Sequence, residues 1–116
     1  MNMTQQIQQV ELTIEEAKKH INRMNALIKL SNNKEYKEIF LEGFFKDYAI
    51  QQVMLKGDPS QQGPDDQAAI IRNIDSIAAV RFHLHAIMAQ GRQMEGALVD
   101  HEETLGELRE EDMNDV

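Results

Sequence analysis

The sequence predicts an all-α protein, built as an antiparallel helical hairpin followed by a long third helix with coiled-coil-like packing. Three observations predict this class. Apolar residues recur at helical spacing along most of the 116 residues. Strand-like alternation of β-branched and aromatic residues is absent. Both prolines, Pro59 and Pro64, lie in one short stretch. At this length we expect a single helical domain over residues 1–116.

The composition excludes several kinds of site. The chain has no cysteine, which excludes a disulfide framework, a zinc-thiolate centre and a thiol nucleophile. No apolar run approaches the roughly 20 residues that cross a bilayer. The N-terminal segment lacks the basic and apolar regions of a signal peptide. We therefore expect no membrane partner.

The net charge of −8 is concentrated towards the C-terminus. Residues 100–116 contain one basic and eight acidic side chains. The rest of the chain forms no basic stripe, so we expect no direct binding to nucleic acid. The acidic tail is either a solvated end, as blocks of like charge usually are, or a docking segment for a basic partner.

The first predicted helix covers about residues 4–30, with Thr4 as its N-cap. Its apolar residues follow an a/d heptad pattern with isoleucine at each a position. Such a stripe either packs within its own domain or forms a coiled coil with another chain. We assign Ile7, Ile14 and Ile21 to an oligomer or partner interface. The full stripe is Ile7, Val10, Ile14, Ala17, Ile21, Met24 and Ile28.

The second predicted helix covers about residues 33–56. Asn32 is its predicted N-cap, and Glu35 is placed to complete a capping box. Gly57 is the predicted C′ residue. The connection to the first helix is short, so we expect the two helices to be antiparallel neighbours.

Five of the six aromatic side chains fall between residues 36 and 48, around a single glycine. A glycine inside a helix costs about 1 kcal/mol relative to alanine, which favours a close helix crossing at Gly43. A helix that is apolar around much of its circumference usually lies between other elements. We therefore predict that residues 36–48 form the central layer of the core; the alternative is an aromatic patch for a partner or ligand. The residues assigned to the core and crossing are Tyr36, Phe40, Gly43, Phe44 and Tyr48.

Residues 57–64 have the composition of a loop, and the third helix is predicted over about residues 65–110, with Pro64 at its first position. At about 1.5 Å per residue this helix would be roughly 69 Å long and would extend beyond its partners in the chain. Either it breaks near Gly91 or Gly96, or its distal half projects and is ordered only by another chain. The distal residues assigned to an oligomer or partner interface are Met94, Leu98, Leu105 and Leu108.

No motif in the chain carries an obvious chemistry. His83 and His85 are two positions apart, so on a helix their side chains point in nearly opposite directions and cannot share a metal. The chain has no glycine-rich phosphate loop and no nucleophile elbow. We therefore expect no catalytic residues, no metal site, no cofactor and no enzymatic activity.

The stretches "NNKEYKE", "FLEGFF" and "IIRNIDSIAAV", within residues 27–95, resemble segments of small all-helical proteins of tailed bacteriophages. The resemblance consists of packing residues and a capped turn. It implies a phage origin and a place in the particle, and it transfers no functional residue.

Two functions are therefore expected from the sequence. The first is a structural or assembly protein that self-associates through its helices, as a homo-oligomer, and binds a larger assembly such as the phage particle. It would be located in the host cytoplasm during assembly, or in the virion. The second is a small phage regulator or inhibitor that binds a host protein or sequesters a small signalling molecule.

Overall fold

The computed structural model describes residues 1–114, and these residues form helices without any strand. The all-α prediction is confirmed. Three segments follow one another without interruption over residues 34–56, and we refer to them together as the second helix. The elements in chain order are α1 (Met3–Ser31), α2 (Lys34–Tyr36), a π-helix (Lys37–Tyr48), α3 (Ala49–Lys56), a 3₁₀ turn (Pro59–Gln61) and α4 (Pro64–Asn114).

Helix α1 begins with a reciprocal cap two residues earlier in the chain than predicted. The Asn2 side chain accepts a hydrogen bond from the backbone N–H of Gln5 at 2.8 Å, and the Gln5 side chain accepts from the backbone N–H of Asn2 at 3.0 Å. This pairing satisfies two donors that a helix N-terminus leaves free. The predicted cap at Thr4 was wrong, because Thr4 already lies inside α1.

The second helix is capped by Asn33, one residue after the predicted cap. The Asn33 side chain accepts from the backbone N–H of Tyr36 at 2.9 Å. The Asn32 amide instead donates to the Ile28 carbonyl at 3.1 Å and so satisfies a free carbonyl at the end of α1. Both asparagines are therefore used, one for each helix end.

At the start of α4, Pro64 occupies the first position as predicted.

The chain divides into two compact units. The first consists of Met1–Leu27 together with α4 from Ile87 onwards, and the second is Ile28–Ala86. Each unit contains one part of α4, which is a single unbroken helix through Gly91 and Gly96. The predicted alternative of a break near these glycines was therefore wrong.

In the first unit, α1 and the distal half of α4 run antiparallel. Met24 lies against Gly91, whereas Glu11, earlier in α1, is paired with Arg109, later in α4. The prediction that only another chain orders the distal half was wrong. That prediction compared helix lengths and treated the second helix as the partner of α1. In the structure, α1 itself packs on the distal half of α4. The buried apolar residues of the unit are Ile14, Ala17, Met24, Leu27 and Leu105.

The heptad stripe of α1 is confirmed as the packing face, except at its end. Met24 is buried, but the next buried residue is Leu27, and Ile28 is exposed. In the last turn of α1 the packing face therefore includes position 27 in place of position 28.

In the second unit, Ile70 and Ile77 of α4 are buried, and a polar pair joins α4 to the second helix. Gln52 is only 4% exposed, and its side-chain oxygen accepts from the Asn73 amide at 3.1 Å. The Lys56 carbonyl at the end of the second helix accepts from the side-chain amides of Gln62 (3.0 Å) and Gln67 (3.1 Å). These amides replace the hydrogen bonds that a helix C-terminus lacks.

The connecting loop carries its own cap. The Asp58 carboxylate accepts from both the backbone N–H and the hydroxyl of Ser60, each at 2.8 Å. These two hydrogen bonds favour the ionised form, the backbone one most, and they lower the pKa of Asp58 below its usual value.

Candidate functional site

The aromatic side chains of the second helix form a ladder of rings along one side of the helix. Each ring contacts the one four residues further on. Tyr36 stacks on Phe40 with centroids 5.3 Å apart, Phe40 meets Phe44 edge-on at 6.2 Å, and Phe44 stacks on Tyr48 at 5.8 Å. Phe45 meets Phe44 edge-on at 5.3 Å. These are favourable separations for aromatic pairs. The structure thus brings the four predicted aromatic residues together.

The ladder is not the central layer of a core, so that prediction was wrong. No residue of the π-helical segment is buried, and Phe40 is 42% exposed. The buried apolar residues of the described chain lie instead in α1 and α4. The rings therefore occupy the boundary between packed interior and solvent.

Gly43 does not mark a helix crossing, contrary to the prediction. Within residues 1–114, a Cβ at position 43 would meet one atom outside its immediate surroundings, the Glu38 carbonyl oxygen at 3.0 Å. That oxygen belongs to the same π-helix, five residues earlier, where a π-helical N–H finds its acceptor. The glycine therefore relieves crowding within its own helix. The close crossing predicted for Gly43 occurs at Gly91 instead.

The row of the ladder continues to Gln52, four residues after Tyr48, so this row marks the inward side of the second helix. At about 100° per residue, Ile50 and Met54 point about 160° away from Gln52. These two apolar side chains are 54% and 70% exposed. An apolar face directly opposite the buried one is unusual for a helix at the surface of a soluble domain.

We call this exposed apolar face the outer strip. It contains a shallow groove of about 320 Å³, lined by Phe45, Lys46, Ala49, Ile50 and Val53. Phe45, Ala49 and Val53 are spaced by four residues, and Leu41 extends this row towards the N-terminus of the helix. The strip is about 20 Å long at 1.5 Å per residue. It consists of Leu41, Phe45, Ala49, Ile50, Val53 and Met54.

The outer strip is electrically neutral, although the chain is not. Residues 34–57 contain four basic and four acidic side chains, against a net charge of −8 for the whole chain. Lys46, which lines the groove of the strip, is paired with Glu42 at 3.4 Å on the same helix. The surface therefore offers apolar area with no excess charge of either sign.

The residues that we assigned to an oligomer interface lie in the first unit. Ile14 and Leu105 are buried there, and the others are half-buried. They lie on the facing stripes of α1 and α4, which pack within one chain. The half-buried residues are Ile7, Ile21, Met94, Leu98 and Leu108.

The acidic tail is helical as far as the description extends, to Asn114. Leu105 is buried, and Arg109 donates to the Glu11 carboxylate at 2.9 Å. The inner side of the tail therefore packs on α1, whereas its carboxylates at 103, 107, 110 and 111 are exposed. Asp115 lies outside the described residues.

Ile50, Val53 and Met54 are the functional candidates that the sequence analysis did not single out. Their signal was present as an apolar i, i+3, i+4 set at the C-terminal end of the second helix. The sequence analysis interpreted this set as part of a helix that is apolar around much of its circumference.

His83 and His85 lie on exposed positions of α4. Among residues 1–114, no three His, Cys, Asp or Glu side chains are grouped so that they could hold a metal ion. In the same part of the chain, no helix combines the length and hydropathy of a membrane-crossing segment.

Comparison of the chain with protein-family models, with curated proteins and with solved structures finds no match.

Proposed function

We propose that this chain is a non-enzymatic association protein that works by burying the outer strip of its second helix against protein surfaces, including copies of itself. The observation that carries the proposal is the exposure of Ile50 and Met54 on the face opposite the buried Gln52, with Val53 exposed beside them. Fully burying one such side chain contributes about 1.5–3 kcal/mol. Contiguous apolar area of this kind commonly marks an interaction site.

The rest of the molecule supports a role for this strip in particular. The apolar stripes of α1 and distal α4 are used within the first unit, so they are not available to build an intermolecular seam. The second helix keeps a complete apolar face free. It is also held in place by the Gln52–Asn73 pair and the amide caps on Lys56, so the strip is presented on a fixed element.

Light scattering of the purified chain tests the proposal with a matched pair of variants. Val53→Glu places a charge in the outer strip, where burial without a partner is costly. Leu12→Glu makes a comparable change at an apolar residue of α1 that is equally exposed, 65% against 62% for Val53. We expect Val53→Glu to abolish self-association and Leu12→Glu to preserve it. Equal effects of the two variants, or no association of the parent chain, would contradict the proposal.

We further propose that the assembly served by this surface is a tailed-phage particle. This part rests on the resemblance within residues 27–95. Mass spectrometry of purified particles tests it, since a structural or assembly component is retained there. Absence from particles, with self-association intact, would favour the second function, a phage regulator that uses the same strip to bind a host protein.

A further inference from the structure

We propose that the second helix is a two-state device: residues 37–48 can adopt an α-helical register in place of the π register, and Gly43 sets the balance between the two. In the α register the helix beyond residue 48 is turned over, so that Ile50 and Met54 of the outer strip face α4 instead of solvent. This inference rests on the proposed function, because it names how exposure of the strip is regulated. A partner that binds the strip favours the π register, since a ligand shifts an equilibrium towards the state that it binds.

The π register of the second helix is unusually long. The π segment, Lys37–Tyr48, comprises 12 residues, whereas π-helices are mostly single turns within α-helices and are frequent at functional sites. The backbone on both sides is ordinary α-helix, with φ −62° and ψ −43° at Tyr36 and φ −62° and ψ −44° at Ala49. No proline lies within these residues to prevent α-helical hydrogen bonds. The segment can therefore form either pattern if each hydrogen bond shifts by one residue.

Gly43 favours the π register because it has no side chain. A Cβ at position 43 would lie 3.0 Å from the Glu38 carbonyl oxygen, closer than an ordinary van der Waals contact. At Gly96 and Gly106, which lie in the α-helical backbone of α4, a Cβ would meet nothing within 4 Å. The crowding at position 43 therefore belongs to the π register. Alanine is also the best α-helix former and glycine is among the poorest, so an alanine at position 43 favours the α register for both reasons.

The two registers point the side chains of α3 in opposite directions. An α-helix has about 3.6 residues per turn and turns by about 100° per residue. Residues per turn rise from about 3.0 to 3.6 between 3₁₀ and α-helices, as the hydrogen-bonded loop lengthens by one residue, so a π-helix has roughly 4.2 and turns by about 86° per residue. Over the 12 residues of the π segment, the difference accumulates to about 170°. The loop over residues 57–63, which follows α3, accommodates the movement.

The faces of α3 are the reverse of what their polarity favours. Gln52 is buried, whereas Ile50 and Met54, about 160° away from it, are exposed. A turn of about 170° brings these two apolar side chains to the inward side. There they meet the apolar stripe of α4 that includes the buried Ile70 and Ile77, and Gln52 enters solvent.

Opposing interactions make the helix bistable. Burial of apolar area stabilises the α register. The Gln52–Asn73 hydrogen bond and the amides of Gln62 and Gln67 on the Lys56 carbonyl stabilise the π register. A switching element needs two packings of the same sequence that differ little in free energy.

Through-hydrogen-bond NMR couplings test the register, because they identify the carbonyl that accepts from a given N–H. In the π register the N–H of residue 43 donates to the Glu38 carbonyl, and in the α register it donates to that of Ile39. We expect Glu38 as the acceptor in the parent and Ile39 in Gly43→Ala. Gly96→Ala is the matched control, since it adds the same Cβ where nothing lies within 4 Å, and it should leave the acceptor unchanged.

The methionine methyl groups report which face of α3 is exposed. A soluble paramagnetic probe broadens exposed methyl signals, and Met54 is 70% exposed whereas Met24 is 3% exposed. We expect strong broadening of Met54 in the parent and little in Gly43→Ala, with Met24 protected in both. Adding Met54→Lys to Gly43→Ala places a charge on the face that the α register buries, so the acceptor should return to Glu38.

The outcomes separate this inference from the proposed function. An Ile39 acceptor with a protected Met54 in Gly43→Ala, reversed by Met54→Lys, supports the two-state device. An Ile39 acceptor in the parent overturns it. So does a Gly43→Ala chain that keeps the Glu38 acceptor, keeps Met54 exposed or loses its helicity, and so does an acceptor that Met54→Lys does not reverse. In each of those cases, self-association that Val53→Glu abolishes still supports the proposed function. A Gly43→Ala chain that changes register but associates like the parent contradicts the proposed function and leaves this inference standing.

Discussion

Gly91 of α4 lies directly against Met24 of α1. A Cβ placed on Gly91 would be 2.6 Å from the Met24 sulfur and 2.8 Å from its Cγ, and closer still to its Cβ. Both residues are buried. The absence of a side chain at position 91 therefore lets the two helices of the first unit approach each other, and this crossing anchors α1 to the distal half of α4.

Alanine substitutions at three glycines of α4 should change the stability of the chain in different directions. Substitution at Gly91 should lower the stability, and substitution at the other two should raise it. Gly91→Ala gains about 1 kcal/mol of helix propensity but forces an overlap with Met24, which typically costs 1–3 kcal/mol. We expect net destabilisation in urea unfolding. Gly96→Ala and Gly106→Ala are the controls, since nothing outside the local backbone lies within 4 Å of a Cβ at either position. Each should stabilise the chain by about 0.5–1 kcal/mol. A Gly91→Ala chain as stable as these controls would show that the crossing is looser than described.

Truncation after Gln90 should unfold the first unit. The cut removes Gly91, which lies against Met24, and Leu105, which is buried in the same unit as Ile14 and Ala17. Most helical stability in proteins comes from the packing of an apolar face, so α1 should lose much of its helicity without its partner. A chain that ends at Glu110, which retains Leu105 and Leu108, is the control and should melt like the parent. Retention of the full α1 signal in circular dichroism after the shorter truncation would contradict this packing.

The Gln52–Asn73 pair should behave as a buried hydrogen bond. Asn73→Ala leaves the side-chain oxygen of Gln52 without this donor in a site that is 4% exposed, which should cost about 1–3 kcal/mol. Replacing both residues by leucine should restore much of that loss, because the apolar pair leaves no polar group unsatisfied. Gln51→Leu, at the exposed neighbouring position, should change the unfolding free energy by less than about 0.5 kcal/mol. Additive losses in the double variant would argue against a specific pair.

The Asp58–Ser60 cap of the loop predicts a pH dependence of the stability that can be assigned to Asp58. Because the two hydrogen bonds from Ser60 lower the pKa of Asp58 below 3.8, the cap stabilises the folded chain above that pH and loses its effect as the pH falls through the lowered value. Ser60→Ala removes the hydroxyl donor but retains the backbone N–H, so the Asp58 pKa should rise part of the way towards 3.8. Titration of the carboxyl carbon by NMR measures both values. A parent Asp58 that titrates at or above 3.8 would contradict the cap.

Periodicity predicted which faces of the helices are buried, but not which helix covers each face. Ile14 and Ala17 of α1 were identified as packing residues, and both are buried. The pairing of α1 with distal α4 was missed, because a heptad stripe in a single sequence looks the same whether its partner lies in the same chain or in another.

The candidate site was harder to predict because two local signals were ambiguous. A glycine within a helix can mark a crossing, as Gly91 does, or local crowding, as Gly43 does, and composition does not distinguish the two. The π-helix shifts the backbone hydrogen bonds by one residue without changing the apolar pattern of the sequence. The aromatic cluster was recognised, but its exposure and the apolar face around Val53 became visible only in three dimensions.

Sedimentation equilibrium of the parent chain over a wide concentration range tests the central claim, self-association through the second helix, most directly. The monomer has a mass of 13.3 kDa. We expect the parent to reach twice this mass as its concentration rises, and Val53→Glu to remain at the monomer mass with its helicity unchanged. A parent chain that sediments as a 13.3 kDa monomer at the highest concentration, or a Val53→Glu chain that dimerises like the parent, would contradict the claim.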